Sequence, residues 1–528
     1  MTAPLKNRDS LLGSGDPQAR RAVGSLVIHQ HRSSHPQPHG NAKKPLRVMK
    51  FGGTSVGDAS CIERVADIVR AAASESDVVV VVSAMSGVTN KLVDAANQSE
   101  LGHRGMVAKI FEELRTRHES AANALITSAE RLQSVSLKLH ELLQAANALC
   151  QDAILRRQLT LRARDSIVGL GERLSAPLVA AALAEREVAS EAIEATELVV
   201  TDSCHGSAEP RMDLTRERCE ARLRPLLRQG TVAVVTGFIG ATVDGALTTL
   251  GRNSSDYSGT ILGAAINADE VTLWTDVDGI LTADPRLVPG ARSILEMSYS
   301  EASGLAELGA KVLHPKTLRP VIQHNIPLSI RNTFAPDRPG TKITAAGPCR
   351  GLEVKALAAN GDVALITLRS RDDMVSHSVL SRALSAAEAA QIDVRLVPQS
   401  ANSPNDVCII VSSAVAESGV DALRREFAQE LADKQVERID LNASVAIVAV
   451  VGESTRGLRG LIEHALSALD AENLNVLASV PGSAQSSFSF VVARKDMQAA
   501  LVSIHRELLL SATNLQEVPG AIHTPRLA

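Results

Sequence analysis

A strand that runs straight into two glycines and then into a helix constrains this chain more than any other feature. Leu46-Arg47-Val48-Met49-Lys50-Phe51 reads as a strand, Gly52-Gly53-Thr54-Ser55-Val56-Gly57 as a loop of small residues, and a helix is expected from about Asp58. The same order returns at Val78 to Val82, a buried strand of five valines followed by Ser83-Ala84-Met85-Ser86-Gly87-Val88-Thr89-Asn90 and a second helix. Strands that each end in a polar loop and a helix predict an α/β fold with a mostly parallel sheet, and such sheets bind ligands at the strand ends. A nucleoside-triphosphate P-loop is excluded, because its lysine follows the glycines whereas Lys50 precedes them.

A third stretch concentrates polar chemistry. Leu247 to Gly259 contains Gly251-Arg252-Asn253-Ser254-Ser255-Asp256-Tyr257, then come Trp274-Thr275-Asp276-Val277-Asp278-Gly279 and Asp284-Pro285-Arg286. Gly251 and the serines let a backbone approach a ligand, the helix opening near Asp256 offers free N–H groups to an anion, and Arg252 brings a planar fork for carboxylate or phosphate. An ordinary strand-turn-helix with a solvated Arg252 and a capping Asp256 reads equally well from this segment alone.

At 528 residues the chain should hold roughly three or more units of about 150 residues. A net charge of −4 spread along the chain argues against a nucleic-acid surface, and no unbroken apolar run approaches the roughly 20 residues of a membrane helix. Six widely spaced cysteines suggest reduced thiols in the cytoplasm, with neither a zinc site nor a disulfide framework. Residues 1–45, rich in His, Arg, Ser and Pro, and residues 511–528 read as tails; an organellar transit peptide is the lesser reading of the first. From about Gly102 to Asp165 the spacing is helical throughout. Glu172 in the next helix reads, by itself, as a solvated charge. Strands are expected at Glu197 to Thr201, Thr231 to Thr236 and Ile326 to Arg331, and the Pro/Gly-rich break after Pro336 closes a domain spanning 46–345. Beyond it lies an internal repeat, placed at 354–434 and 435–510, each copy reading strand, helix, strand, strand, helix in a ferredoxin-like manner.

Taken together, Lys50-Phe51-Gly52-Gly53-Thr54-Ser55, the Gly251 to Tyr257 run, Trp274 to Gly279 and Lys311-Val312-Leu313-His314-Pro315 make the chain resemble the aspartokinases of the amino-acid kinase superfamily. The repeat resembles their tandem ACT domains, and Val451 to Gly460 is most similar to the kinase half of bifunctional aspartokinase–homoserine dehydrogenases. The resemblance implies a three-layer αβα kinase domain followed by two ACT (βαββαβ) units. It also implies phosphorylation of the side chain of L-aspartate by ATP, the first step of lysine, threonine and methionine biosynthesis. Lys50, Arg252 and Asp256 would be catalytic; Thr89, Glu172, Arg252 and Ser255 would hold aspartate. Lys50, Gly52, Gly53, Thr54, Ser83, Thr275, Asp276, Arg286 and Lys311 would contact the nucleotide, with Mg²⁺ carried by its phosphates and no dedicated protein metal site. A dimer or tetramer through the ACT units is expected. An effector, threonine or lysine, would bind near Gln399, since Pro481 replaces the corresponding glutamine of the second repeat. The rival from another class is a catalytically inactive amino-acid sensor on the same scaffold.

Overall fold

The computed structural model describes residues 44–251, 254–308, 313–347, 353–370, 376–400, 406–453, 458–482 and 487–509. Its larger sheet has eight strands in the order Ser190–Ile193, Val232–Thr236, Asp77–Val82, Leu46–Phe51, Glu270–Thr275, Leu328–Asn332, Thr341–Thr344, Glu296–Ser298. The first six run parallel, and Thr341–Thr344 turns antiparallel.

The valine run shows why this sheet is a middle layer. Val79 and Val81 enter one core together with Ile261 and Leu262 of the helix Ser255–Ile266, while Val78, Val80 and Val82 enter another with Ile62 and Val65 of Ala59–Glu75. All five are at most 2% exposed. Burying each valine contributes about 1.5–2 kcal/mol, so a polar residue anywhere in the run would oppose the fold. Asp58 starts the helix Ala59–Glu75 by accepting the Cys61 N–H at 2.9 Å. The helical excursion consists of Arg104–Leu125, Ala129–Arg156 and Leu161–Val168. Leu161–Ala184 taken as one stretch is long and apolar enough to cross a membrane, yet 83% of its apolar window is buried inside the protein; this composition belongs to a core helix pair.

Two expectations are corrected. Residues 197–201 form no strand: Ala195–Glu197 is a 3₁₀ turn, and Val200 and Thr201 make only isolated bridges. The reason is that the Val200 N–H is taken by the Thr215 hydroxyl, 3.1 Å away, instead of by a neighbouring strand. The repeat, moreover, is not consecutive. Each of the 18-residue strands Glu353–Ser370 and Val436–Glu453 serves both units. Val363 to Leu368 pairs with Val407–Ser412 and with the start of Val436–Glu453, whereas Glu353 to Asn360 pairs with its end, beside Ser487–Ala493 and Val476–Pro481. The first regulatory unit is therefore inserted within the second, and Gln399–Ser400 joins them by pairing with Ser479 and Ala478.

The second unit grips the body built on the larger sheet. The Leu357 N–H donates to Thr282 O at 2.7 Å, Thr282 Oγ1 lies 3.0 Å from His505 Nε2, and Ala283 and Val288 join Val354, Leu357, Leu469 and Ile504 in one core.

His118, on Arg104–Leu125, is fully buried. Its Nδ1–H donates to Leu114 O at 2.7 Å, and Nε2 has no partner among the described residues. Burial pushes its pKa down to about 4. The unfolded chain therefore binds this proton more readily, and stability is lost as pH falls from 6.5 toward 4, by up to about 3 kcal/mol from this residue. Urea unfolding of wild type and His118→Leu at pH 7 and pH 4.5 should show a smaller acid loss in the variant; equal losses would assign the acid sensitivity elsewhere.

Candidate active site

Parallel register brings the carboxyl ends of the strands beginning at Leu46, Asp77, Val232 and Glu270 to one edge. Lys50 projects there. Its strand neighbours Leu46 and Val48 face the same core, and Lys50 itself is 6% exposed. Space for its stem comes from Gly259 on the facing helix, where a Cβ would lie 3.1 Å from Lys50 Cβ. A buried ammonium needs a counter-charge. Asp256 supplies it, with Oδ1 2.5 Å from Lys50 Nζ, from the first turn of Ser255–Ile266, where a carboxylate also suits the helix dipole. Ser83 Oγ donates to Ser255 Oγ at 2.8 Å, tying the second strand-end loop to the same turn. Gly251, with φ 99°, bends the chain into this helix, and the Ser254 hydroxyl closes the bend on Gly251 O at 2.6 Å.

Glu172 sits in the first turn of Leu170–Ala184 and is 4% exposed, which corrects its reading as a solvated charge. The Ala84 N–H and its own N–H donate to the carboxylate. Gly171 allows this closeness, since a Cβ there would fall 2.5 Å from Ala84 Cβ. Burial raises the Glu172 pKa to about 7, against those N–H donors and the Lys50 charge. Oε2 has no partner among the described residues. A buried carboxylate with an oxygen unpaired among the described residues is chemically suited to a group that brings both positive charge and N–H donors. Thr89 is half-buried on the first turn of the helix Val88–Leu101.

The glycine loop is fixed from its other side. The Gly52 N–H donates to Trp274 O at 3.0 Å, and the Ser55 hydroxyl lies 2.7 Å from Thr333 Oγ1. Gly53 lies against Ala84 O, which a Cβ would approach to 3.0 Å, and Thr54 is exposed. Thr275 donates to Asp276 Oδ1 at 3.2 Å, next to the loop. Arg286 is held on Asp284 at 2.5 Å with 69% of its side chain exposed, and no described contact joins it to the Lys50 cluster. Arg252 and Lys311 lie outside the described residues. No group of three His, Cys, Asp or Glu side chains among the described residues could hold a metal ion. Single carboxylates such as Asp256 and Asp276 fit a Mg²⁺ ion held chiefly by phosphate oxygens.

Three contributors were invisible to motif reading. They are Gly259, the Ala84 N–H, and Asp165, which is 3% exposed and accepts Thr249 Oγ1 at 2.6 Å, His205 Nδ1 at 2.8 Å and Gly206 N at 3.1 Å. Asp165 thereby anchors the approach to Gly251. A carboxyl group expected at the end of a helical stretch carries no local signal that distant loops will converge on it.

Residues 45–332 match the amino acid kinase family and residues 448–508 an ACT domain. The chain is 31% identical to the lysine-sensitive aspartokinase 3 of Escherichia coli, over 87% of this chain and 98% of that protein. It is 32% identical to the bifunctional aspartokinase/homoserine dehydrogenase of Haemophilus influenzae, over 88% of this chain and 56% of that one. It thus spans about half the length of the bifunctional relatives it matches. Among solved structures, E. coli aspartokinase III in complex with aspartate and ADP superposes with a TM-score of 0.73 at 29% identity, covering 88% of this chain and all of that one. The same enzyme with lysine and aspartate gives 0.69 at the same identity and coverage of this chain. A family match over more than half the chain, and a relative matched almost end to end, place this protein among the aspartokinases of the amino acid kinase family.

Proposed function

We propose that the chain phosphorylates the side-chain carboxylate of L-aspartate with ATP, giving 4-phospho-L-aspartate and ADP. The observation that carries this reading is the Glu172 Oε2, buried and unpaired among the described residues, in the cluster that holds Lys50. An α-ammonium satisfies the one, and the other neutralises phosphate. In this reading a side-chain oxygen of aspartate attacks the γ-phosphorus as the bond to the β,γ-bridging oxygen breaks, and the electron pair leaves on ADP. A carboxylate with a pKa near 4 is already ionised, so no general base is needed. Lys50, oriented by Asp256, draws the two anions together and offsets charge developing in transfer. Thr89 and Ser255 complete the aspartate pocket, with Arg252 on its α-carboxylate. Gly52, Gly53, Thr54, Ser83, Thr275, Asp276 and Lys311 are assigned to the nucleotide, and a Mg²⁺ ion arriving with its phosphates would offset part of their charge. Arg286 is the weakest member of that set, being exposed and already paired.

The regulatory units support feedback by an amino acid. Gln399 lies where the two units pair, whereas Pro481 brings no side-chain amide to the second. The relative that binds lysine argues for lysine as a candidate beside threonine. The strand Val394–Leu396 ends the seven-stranded sheet and offers an edge for pairing two copies into a dimer or tetramer. The five described cysteines are all free, which suits the cytoplasm.

Trapping the acyl phosphate with hydroxylamine tests the reaction: product with L-aspartate and not with L-glutamate is expected, and no product with any amino acid would favour a sensor. Lys50→Ala should lower kcat by on the order of a hundredfold or more.

The Glu172 pKa adds a pH signature. Its carboxyl is neutral below pH 7 and ionised above, and only the ionised form pairs with ammonium. Wild-type KM for aspartate should therefore rise about tenfold from pH 8 to pH 6. Glu172→Gln should raise that KM at pH 8 far more than the KM for ATP, and flatten its pH dependence. An unchanged pH profile in Glu172→Gln would remove Glu172 from the ammonium site.

For regulation, kinase assays with threonine and lysine on wild type and Gln399→Ala should show inhibition that weakens in the variant; strong inhibition surviving it would place the effector elsewhere.

A further inference from the structure

We propose that Arg117, on the helical excursion, is a positioning residue that sets the distance between the two halves of the active site. The proposal rests on the kinase reading above. The helix Arg104–Leu125 lies outside the sheet and contributes none of the groups assigned to substrate. From it the Arg117 guanidinium donates Nη1–H to Ser86 O at 2.8 Å and Nη2–H to Gly57 O at 2.7 Å. Those two carbonyls end the two strand-end loops. Gly57 closes the loop whose Gly52, Gly53 and Thr54 are assigned to the nucleotide, and Ser86 closes the loop whose Ala84 backs Glu172 and which leads into the helix bearing Thr89, the groups assigned to the amino acid.

The loops meet backbone to backbone. A Cβ on Gly53 would lie 3.0 Å from Ala84 O, and one on Gly57 would lie 3.2 Å from Thr54 O and 3.8 Å from Ser86 Cβ. Their contact is thus made by glycines, which fit closely yet offer no side chain to fix the relative position. One planar fork spanning both carbonyls supplies what the glycines lack, with two charge-assisted bonds held in fixed geometry. The same helix holds the second loop's helix through Glu113 and Lys91. Arg117 is therefore one end of a rigid brace.

The consequence for catalysis is specific. Each loop keeps its own ligand groups without Arg117, but in the kinase reading the glycine loop holds the nucleotide, while the ammonium anchor Glu172 and Thr89 go with the second loop, which reaches the nucleotide only through Ser83. In-line transfer requires the γ-phosphate and the attacking carboxylate about 3–3.5 Å apart, and a displacement near 1 Å costs up to about a hundredfold in rate. Loss of the fork should lower kcat and leave binding of each substrate alone. Lysine in its place can reach one carbonyl at a time and should recover only part of the rate.

The test uses the full-length protein with Arg117→Met and Arg117→Lys. Expected in Arg117→Met is a fall in kcat on the order of tenfold to a hundredfold, with KM for aspartate and for ATP each within about threefold of wild type. Arg117→Lys should fall between. Hydrogen–deuterium exchange should rise together in peptides covering 52–57 and 83–90, and stay unchanged in the sheet and the regulatory units. Wild-type kcat in Arg117→Met, or a large rise in either KM at unchanged kcat, overturns the proposal. So does exchange that rises in one loop only or throughout the protein, the second being the mark of a merely structural residue. Exchange judges the brace without any turnover, so a wild type inactive toward aspartate would fail the kinase reading and leave the brace to stand or fall on the two loops.

Discussion

A lysine held away from water dictates much of this architecture. An ammonium at 6% exposure is tolerable only with a carboxylate beside it, and Asp256 meets that need at 2.5 Å. For Asp256 to be there, the helix Ser255–Ile266 must begin at the end of the strand bearing Lys50, and a glycine must face the lysine stem. For the helix to begin there, the chain must turn at Gly251 with positive φ. The parallel sheet, buried on both faces by its valines, is the frame stiff enough to hold these parts in register. Glu172 extends the same logic, since it is buried with one oxygen unpaired among the described residues, and burial disfavours its charge.

The glycine-loop end of the larger sheet is connected to the C-terminal units through a short stretch of chain. Trp274 O holds the glycine loop, Thr275 and Asp276 follow, and within a few residues Thr282, Ala283 and Val288 are embedded in the core of the second regulatory unit. The Thr282 hydroxyl meets His505 and its carbonyl receives the Leu357 N–H. Packing thus joins that unit to the segment that leaves the strand end beside the glycine loop.

The sheet, its glycine loops and the helical stretch were legible because period and punctuation are local signals: five valines, two glycines, a capping Asp58. Lys50 and Asp256 were named through the family resemblance that their motifs carry, and their approach to hydrogen-bonding distance is a fact of the fold. Glu172 was named only through the family resemblance, and by itself read as solvated, because nothing adjacent in sequence reveals that Gly171 lets the Ala84 loop close over it. Asp165 and Arg117 were silent for a similar reason, since their partners are loop atoms far along the chain. Residues 197–201 have strand composition, yet a threonine hydroxyl took the N–H that a strand would have used. The repeat was visible as a repeat, but pairing partners are long-range information, and the sharing of two strands between the units could not be read from their order.

That sharing also imposes an order of events on a chain emerging from the ribosome. Ala359 lies in the first strand of the regulatory region to be made, yet its partner Val448 follows the whole of the inserted unit. The inserted unit can close while its host is still missing most of its sheet, and the segment Glu353 to Asn360 must wait with its hydrogen-bonding edge unpaired. Such non-local pairing is slow to form and exposes an edge to other chains in the interval. Nascent chains of this protein should therefore be most vulnerable to aggregation between the synthesis of residue 360 and that of residue 445, a window set by topology and not by the stability of the finished fold.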